Sequence, residues 1–240
     1  MISVNSKFKF YDRGFKKTLV LLPGWATDHR IFLRLNLDYN YLKAEIFNPF
    51  NFKELLVNEL NSLGIAKASL FGWSQGGFAC AEFTSQYPQK VDELILLGVK
   101  SGYDTEILKG LEVKLKKNSK AYLYKFYLEC FAQEDKAALD WFREHLLEDY
   151  VNGFTFEELK LGLDYLSKAV LNAGLSLETG KIRFFHGDKD KIAGFNEAQK
   201  LGPIFPKAEF SCIRGTGHLV FLHPRFRQVF YQDALPFMNE

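Results

Sequence analysis

The first half of the chain alternates short apolar runs with longer segments whose apolar residues recur at helical spacing. A continuous run of five or six apolar residues is typical of a strand that is buried on both faces of a parallel sheet. Six runs of this kind predict strands: KTLVLL (17–22), KAEIF (43–47), ASLFG (68–72), ELILLG (93–98), KIRFFHG (181–187) and AEFSCI (208–213).

Helical patterns separate these strands. FKELLVNELNSLG (52–64) and QGGFACAEFTSQYP (75–88) end near Gly or Pro, and a last helix is predicted after Pro224. Residues 103–180 are rich in helix formers and contain no clear strand and no proline. The pattern predicts an α/β fold, a doubly wound and mostly parallel sheet (1–102 and 181–240), with an all-helical cap (103–180) inserted in it.

Composition narrows the function classes. The 240 residues are 47% hydrophobic with a formal net charge of +2, which does not indicate a nucleic-acid-binding protein. Cys80, Cys130 and Cys212 are widely spaced, so we expect buried, reduced thiols rather than a disulfide framework or a metal cluster. No signal peptide and no apolar run of the roughly 20 residues of a membrane span is visible. We expect a cytoplasmic monomer with no cofactor, no metal and no membrane partner.

A glycine-rich stretch carries the first candidate chemistry. Gly72, Ser74 and Gly76 form a G-x-S-x-G motif that follows a predicted strand and opens a predicted helix. A nucleophilic serine on such a sharp turn needs small neighbours, and its hydroxyl then projects above the sheet. The alternative is a tight turn whose glycines only allow the helix to pack on the strand.

A serine nucleophile needs a base and an acid that orients the base. His218 follows the last predicted strand behind a glycine-rich turn, so we predict it as the base. Asp188 and Asp190 both follow the KIRFFHG strand, and we favour Asp190 because Asp188 directly follows a glycine and resembles a turn residue. Asp104 is a third, weaker candidate, and His186 is expected to be structural.

An oxyanion intermediate needs two backbone N–H donors. Gln75, the residue after the proposed nucleophile, is one candidate. Trp25, in the loop after the first predicted strand, is the other, although it could also serve as a wall of the pocket.

The chain resembles the α/β-hydrolase superfamily over almost its whole length. The motifs that carry this resemblance are, in chain order, Gly24-Trp25, the Gly72–Gly77 elbow, Gly187 to Asp190 and Gly217-His218. The resemblance implies a Ser74–His218–Asp190 triad, an oxyanion hole from Trp25 and Gln75, and a helical cap over the site.

A narrower resemblance is to the biotin-pathway esterases that cleave pimeloyl-acyl-carrier-protein methyl ester. LLPGW, LFGWSQGG and the cap segment KLGLDYLSKAVLN carry it, the last through Gly162-Leu163 and Leu166. It implies that Trp25, Phe126 and Leu128 contact the acyl substrate. The sequence departs from the hydrolase pattern at Pro23-Gly24, where His-Gly is usual, and lacks the usual Asp-x-x-Gly-x-Gly-x-Ser loop.

The cap also carries a local concentration of lysines. Residues 108–125 hold six lysines against one acid, Glu112. An acidic acyl-carrier protein, the partner that the resemblance implies, could dock there. The alternative is an ordinary solvated helix face. The residues we single out for docking are Lys114, Lys116, Lys117 and Lys120.

Three functions remain open at this point. The first is a serine carboxylesterase, with pimeloyl-carrier-protein methyl ester as the narrower substrate. The second is another enzyme with the same triad positions, a menaquinone-pathway lyase or a carbon–carbon bond hydrolase. The third is a non-catalytic binding protein, which the presence of Ser74, Asp190 and His218 argues against.

Overall fold

A seven-stranded sheet forms the centre of the protein. The structure is a computed structural model that describes residues 5–172 and 180–232. The strand order is β1-β3-β2-β4-β5-β6-β7, with β1 antiparallel to β3 and all other neighbours parallel. The strands are β1 Lys7–Tyr11, β2 Thr18–Leu22, β3 Asn40–Ile46, β4 Ala68–Trp73, β5 Val91–Leu97, β6 Lys181–Gly187 and β7 Glu209–Ile213.

The burial of the strands explains which of them the sequence predicts. β2 and β4 are buried along their whole length, as continuous apolar runs require. β1 was not predicted, because its KFKFY pattern is that of a half-exposed edge strand. β3 begins at Asn40, three residues before the predicted start. Its first residues are buried, but they are not all apolar, so they do not form a continuous apolar run.

Helices cover both the sheet and its carboxyl edge. Those that connect or follow the strands of the core are α1 Phe52–Ser62, α2 Gln75–Gln86, α7 Phe195–Gln199, α8 Leu201–Ile204 and α9 Phe226–Tyr231. The connection from β2 to β3 differs, because the one helical turn in it is a short 3-10 segment, His29–Phe32. A parallel connection usually contains an α-helix, so the β2–β3 connection is an exception in this sheet.

A helical insert lies between β5 and β6, as the sequence predicts. Its helices are α3 Thr105–Glu129, α4 Lys136–His145, α5 Leu147–Gly153 and α6 Phe156–Leu166. Asn118 interrupts α3 with non-helical angles, and its side chain accepts a hydrogen bond from the Ala121 amide at 3.0 Å. The cap boundaries at 103 and 180 stay a prediction, and residues 173–179 lie outside the described part of the chain.

Two further expectations can be compared with the structure. Cys80 and Cys130 are buried, but Cys212 is exposed because it lies on β7, at the edge of the sheet; the prediction of three buried thiols is wrong there. No helix among the described residues is both long and apolar enough to cross a membrane.

Candidate active site

Ser74 occupies the turn between β4 and α2. Its backbone angles are φ +53° and ψ −117°, a left-handed conformation that costs a non-glycine residue about 1–3 kcal/mol. Ser74 N donates to Leu97 O at 2.8 Å, and Gly77 N donates to Ser74 O at 2.9 Å. The surrounding backbone therefore holds the strained turn, as the G-x-S-x-G motif predicts.

The two flanking glycines are required by space. A Cβ at Gly76 would lie 2.2 Å from the Leu22 carbonyl oxygen, and a Cβ at Gly72 would lie 2.4 Å from the Gly76 carbonyl oxygen. Both obstacles are backbone atoms, which cannot rotate away as a flexible side chain can. The motif thus lets α2 approach the ends of β2 and β4 closely enough to form the turn.

His218 and Asp190 form a buried pair at the same edge of the sheet. His218 Nδ1 lies 2.8 Å from Asp190 Oδ2, and since an ionised carboxylate only accepts, Nδ1 is the donor. The other ring nitrogen, Nε2, then carries the lone pair, and it has no hydrogen-bond partner among the described residues. The ring lies 5.2 Å from that of Trp73, the residue that precedes Ser74. This arrangement leaves Nε2 available as a proton acceptor.

The loop after β6 holds Asp190 in place. Its Oδ1 accepts from Ile192 N at 2.8 Å and from Ala193 N at 2.9 Å. Burial alone would raise the pKa of Asp190, but the interactions of its carboxylate with the nearby rings of His218 and His186 outweigh burial and bring that pKa well below its usual value. Asp190 is therefore ionised at neutral pH and can stabilise an imidazolium.

The two rejected acids have other partners. Asp188 Oδ1 accepts from Gly215 N at 2.7 Å and so ties the two loops together. Asp104 caps the start of α3 by accepting from Glu106 N at 2.7 Å. Of the three candidates, the structure brings Asp190 to His218.

The loop that carries His218 is attached to the insert. His218 N donates to Cys130 O at 2.7 Å, and Gly217 N donates to Asp135 Oδ2, also at 2.7 Å. A Cβ at Gly217 would lie 2.5 Å from Cys130 O, so the close approach requires glycine. Sequence reasoning did not identify Asp135, and no local signal marks an acid 82 positions away as a partner.

Two more side chains near the site were not predicted to act there. His186, expected to be structural, places Nε2 3.1 Å from Asp190 Oδ2, close enough for an ion pair but without hydrogen-bond alignment. Tyr103 is half-buried and lies 6.0 Å from the Phe78 ring. Burial and the charge of Asp190 raise the pKa of Tyr103, and a hydrogen bond with Ser74 opposes them in part.

The candidate oxyanion donors are adjacent to Ser74. Gln75 is the first residue of α2, where an N–H has no partner within the helix. Gly24, which precedes Trp25, comes so near that a Cβ on it would lie 3.2 Å from Ser74 Cβ. Pro23 cannot make the hydrogen bonds of the usual histidine; instead Thr27 Oγ1 donates to Gly24 O at 2.9 Å, and the Tyr127 hydroxyl donates to Ala26 O.

The side chains of these two donors are attached to the cap. Trp25 Nε1 donates to Leu159 O at 2.9 Å, and Gln75 Nε2 donates to Gly162 O at 2.8 Å. Both carbonyls belong to α6. A Cβ at Gly162 would lie 2.4 Å from Trp25 Cδ1. The cap segment singled out in the sequence is thus the part of the insert that sits on the candidate oxyanion hole.

Replacing Gly162 by Ala should therefore lower turnover far more than it lowers stability. The added methyl would push α6 away from Trp25 and disturb both amide donors, and loss of one such donor typically costs about 10²–10³ in kcat. Gly110→Ala is the matched control, because a Cβ there meets nothing within 4 Å. Steady-state ester kinetics with a thermal melt measure both effects; equal kcat in the two variants would contradict this role.

The predicted acyl-contact residues differ in position. Phe126 is buried and its ring packs edge-on against Trp25 at 5.0 Å. Leu128 is half-buried, and two residues along a helix point in nearly opposite directions. Phe126 therefore lies over the site beside Trp25, and Leu128 does not share its face of α3. Ser74 itself is 6% exposed, so it is buried in this structure.

The four lysines proposed for docking are exposed on α3. Lys116 forms an ion pair with Glu112 at 2.8 Å. No ion pair is seen for the other three within the described ranges. Two apolar side chains on the same helix are also largely exposed, Ile107 at 60% and Val113 at 67%.

Comparison with known proteins adds a family description. The profile of the family described as "alpha/beta hydrolase fold" matches residues 44–136. A 2-hydroxy-6-oxononadienedioate/2-hydroxy-6-oxononatrienedioate hydrolase from Burkholderia vietnamiensis is 31% identical over 94 residues. That match covers 39% of this chain, and the chain spans 28% of the length of this relative.

Solved structures match over nearly the whole chain. An esterase from Exiguobacterium antarcticum has a TM-score of 0.78 at 20% identity and covers 94% of both chains. A thermophilic esterase from Thermogutta terrifontis has a TM-score of 0.78 at 17% identity, over 94% of this chain and 92% of its own. At these identities the likeness shows the fold alone. None of these three proteins is named as a biotin-pathway esterase.

Proposed function

Because this chain has the α/β-hydrolase fold, we propose that it is a serine hydrolase that cleaves carboxylic esters. The observation that carries the proposal is the placement of Ser74. It is a buried serine in a left-handed turn at the edge of the sheet where His218 is hydrogen-bonded to Asp190. Backbone strain of this kind is concentrated at functional sites.

The acylation step uses the three side chains in turn. Ser74 Oγ attacks the ester carbonyl carbon while His218 Nε2 takes the hydroxyl proton. The ionised Asp190 holds the ring with Nδ1 protonated and stabilises the positive charge that forms on it. The tetrahedral intermediate then collapses, the ester C–O bond breaks, and His218 returns the proton to the leaving alcohol.

The negative charge of the intermediate needs donors that are already in position. The amides of Trp25 and Gln75 are our candidates, and the positive end of α2 adds to their effect. Deacylation repeats the sequence with water: His218 takes a proton from water, the hydroxide attacks the acyl carbon, and Ser74 leaves with its proton restored. The products are a carboxylic acid and an alcohol.

The narrower proposal is that the ester is pimeloyl-acyl-carrier-protein methyl ester. It rests on the resemblance of the elbow and of the cap segment, and it is supported by the contact of the Phe126 ring with the ring of Trp25, the candidate oxyanion residue. A flexible acyl chain would lie against these rings while the carrier protein stays outside the cap.

Growth of a biotin-requiring strain that lacks its esterase tests the narrower proposal. Rescue by this chain, with release of methanol from the purified carrier-linked ester, is the expected result. Failure to rescue together with hydrolysis of short p-nitrophenyl esters would reject the biotin-pathway substrate and keep the esterase. Inactivity toward every ester would reject both.

A carbon–carbon bond hydrolase is the second candidate, since the Burkholderia vietnamiensis relative is named for hydrolysis of a 2-hydroxy-6-oxo dienedioate. Such a substrate carries carboxylates, which need cations near the site. Lys100 is a half-buried cation that interacts electrostatically with Asp190. Side-by-side assays of a methyl ester and of a 2-hydroxy-6-oxo dienedioate separate the candidates. The ester should be turned over with the higher kcat/KM; the reverse order would favour the second candidate.

The exposed lysines of α3 should matter for a carrier-linked ester alone. Replacing Lys114, Lys117 and Lys120 by Glu should raise KM for the carrier-linked ester about tenfold or more at low salt, because charge complementarity mainly controls association. Turnover of a free p-nitrophenyl ester should not change.

The matched control carries the same change of charge elsewhere on the surface. It should behave as wild type toward both substrates. Equal losses on both substrates in the α3 variant, or an equal loss in the control, would reject docking at this helix. The control replaces three exposed lysines of the core by Glu: Lys16, Lys67 and Lys207.

A further inference from the structure

A cavity of about 580 Å³ lies away from the candidate active site. One of its walls is formed by side chains of β1 and β3. Its other wall is the irregular chain of residues 32–36, in the β2–β3 connection. Because that connection has a single 3-10 turn where a parallel crossover usually has a helix, the cover leaves an open space. We call this space the β1–β3 cavity. None of its lining residues belongs to the site around Ser74.

Lys43 is the unusual residue of the β1–β3 cavity. It lies on β3 with 9% of its surface exposed, and lysine is rarely buried to this extent without a partner. Its ammonium lies 4.6 Å from the centre of the Tyr11 ring and 5.8 Å from that of Tyr41. Within residues 5–172 and 180–232 it has neither an ion pair nor a hydrogen bond.

The neighbours of Lys43 add positive charge. Lys9 is directly opposite it in the β1–β3 register, and like charges at opposed positions are destabilising. Burial lowers the pKa of Lys43, and the charge of Arg13 lowers it further, while no acid opposes them. The fold therefore keeps Lys43 nearly buried with two aromatic rings, but no carboxylate, beside its ammonium.

Three other charged residues line the cavity: Arg13, Asp12 and Arg34. Arg13 donates to Tyr39 O at 2.9 Å and to Asn36 Oδ1 at 2.8 Å, so it shapes the wall. Asp12 accepts from Gly14 N at 2.9 Å. Arg34 lines the cavity at its exposed rim and, in the described chain, contacts a ring of the cap without any carboxylate.

Outside the cavity, the nearest acid along β3 is Glu45. It lies 3.6 Å from Lys9 Nζ and 3.9 Å from Lys7 Nζ, so its charge is shared by exposed lysines of the edge strand. Glu45 Oε1 also accepts from the hydroxyl of the lining residue Tyr11 at 3.5 Å. The acid of the lining itself is Asp12, and neither acid forms an ion pair with Lys43 or Arg34 in the described part of the chain.

We propose that the β1–β3 cavity binds a small organic phosphate monoester, with the phosphate between Lys43 and Arg34 and the organic group against the half-buried ring of Tyr11. A phosphate monoester carries about −1.5 to −2 charges at neutral pH, which matches two cations. The volume is in the range of small-ligand sites, which is roughly 300–1,000 Å³. This site is independent of the ester chemistry proposed for Ser74.

Calorimetric titration with phenyl phosphate, inorganic phosphate and acetate tests the proposal. Wild-type protein should bind phenyl phosphate saturably, inorganic phosphate more weakly and acetate not at all. Lys43→Met, which keeps most of the length of the side chain without its charge, should weaken phenyl phosphate binding by about tenfold to about a hundredfold. In phosphate-free buffer the same variant should melt no lower than wild type, because it removes an unpaired buried cation.

Two more variants complete the test. Arg34→Met, at an exposed position, should also weaken binding and measures the site even if Lys43→Met does not fold. Lys67→Met, an exposed lysine outside the cavity, should bind as wild type does. Absence of saturable binding to wild type, equal affinity for inorganic phosphate and phenyl phosphate, or wild-type affinity in both cavity variants would each overturn the proposal.

Discussion

Replacing Ser74 by Ala should abolish ester hydrolysis, lowering kcat on the order of 10⁴-fold or more. The variant loses the attacking oxygen, so His218 Nε2, which has no hydrogen-bond partner among the described residues, has no serine proton to accept. Initial rates with p-nitrophenyl acetate and p-nitrophenyl butyrate measure the loss. An active-site label that reacts with serine should modify the wild-type protein once and the variant not at all.

Ser85→Ala is the matched control for that experiment. Ser85 lies on α2, the helix that begins after Ser74, but its hydroxyl is exposed and donates to Ala81 O at 3.0 Å. Its activity should equal that of wild type. Undiminished activity in Ser74→Ala would show that another group is the nucleophile, or that the chain uses the fold without this chemistry.

Replacing Asp190 by Asn should lower kcat about 10⁴-fold, the cost of an imidazole held in the wrong tautomer. An amide nitrogen facing His218 Nδ1 favours a lone pair on Nδ1 and the proton on Nε2, which prevents Nε2 from acting as a base. Asn also lacks the charge that stabilises the imidazolium. The measurement is kcat over a range of pH, with protein concentration corrected for folded fraction.

Asp188→Asn gives the comparison for this change, two positions away in the same loop. Asp188 accepts one hydrogen bond from Gly215 N at 2.7 Å, which an Asn side-chain oxygen can also accept. We expect a loss of about tenfold or less, through the position of the loop that carries His218. If Asp188→Asn were the more damaging of the two, the assignment of Asp190 as the orienting acid would be wrong.

The features that sequence predicts well here are those with a local physical cause. A strand that is buried on both faces must be apolar throughout, so β2 and β4 are visible as runs. A serine between two glycines at a strand end predicts the strained turn because few other sequences tolerate it. β1 was missed, since alternating Lys and Phe in a five-residue edge strand resembles ordinary exposed chain.

The features that sequence does not predict depend on partners distant along the chain. Asp135 and Gly217 are 82 positions apart, and nothing near either of them indicates the hydrogen bond. His186 is predicted to be structural because it lies at a strand end, and its closeness to Asp190 depends on how the loop after β6 folds back. The β1–β3 cavity is a third case, because it arises from a helix that the β2–β3 connection does not form.

The attachment of the cap to Trp25 and Gln75 has a consequence for how sequences with this architecture can diverge. Both acceptors, Leu159 O and Gly162 O, are main-chain carbonyls, which every residue type supplies. Side chains on α6 can therefore change without loss of either bond, provided that the backbone path is kept and position 162 stays glycine. A cap transplanted from another protein should support catalysis when its backbone superimposes at these two carbonyls, whatever its sequence identity.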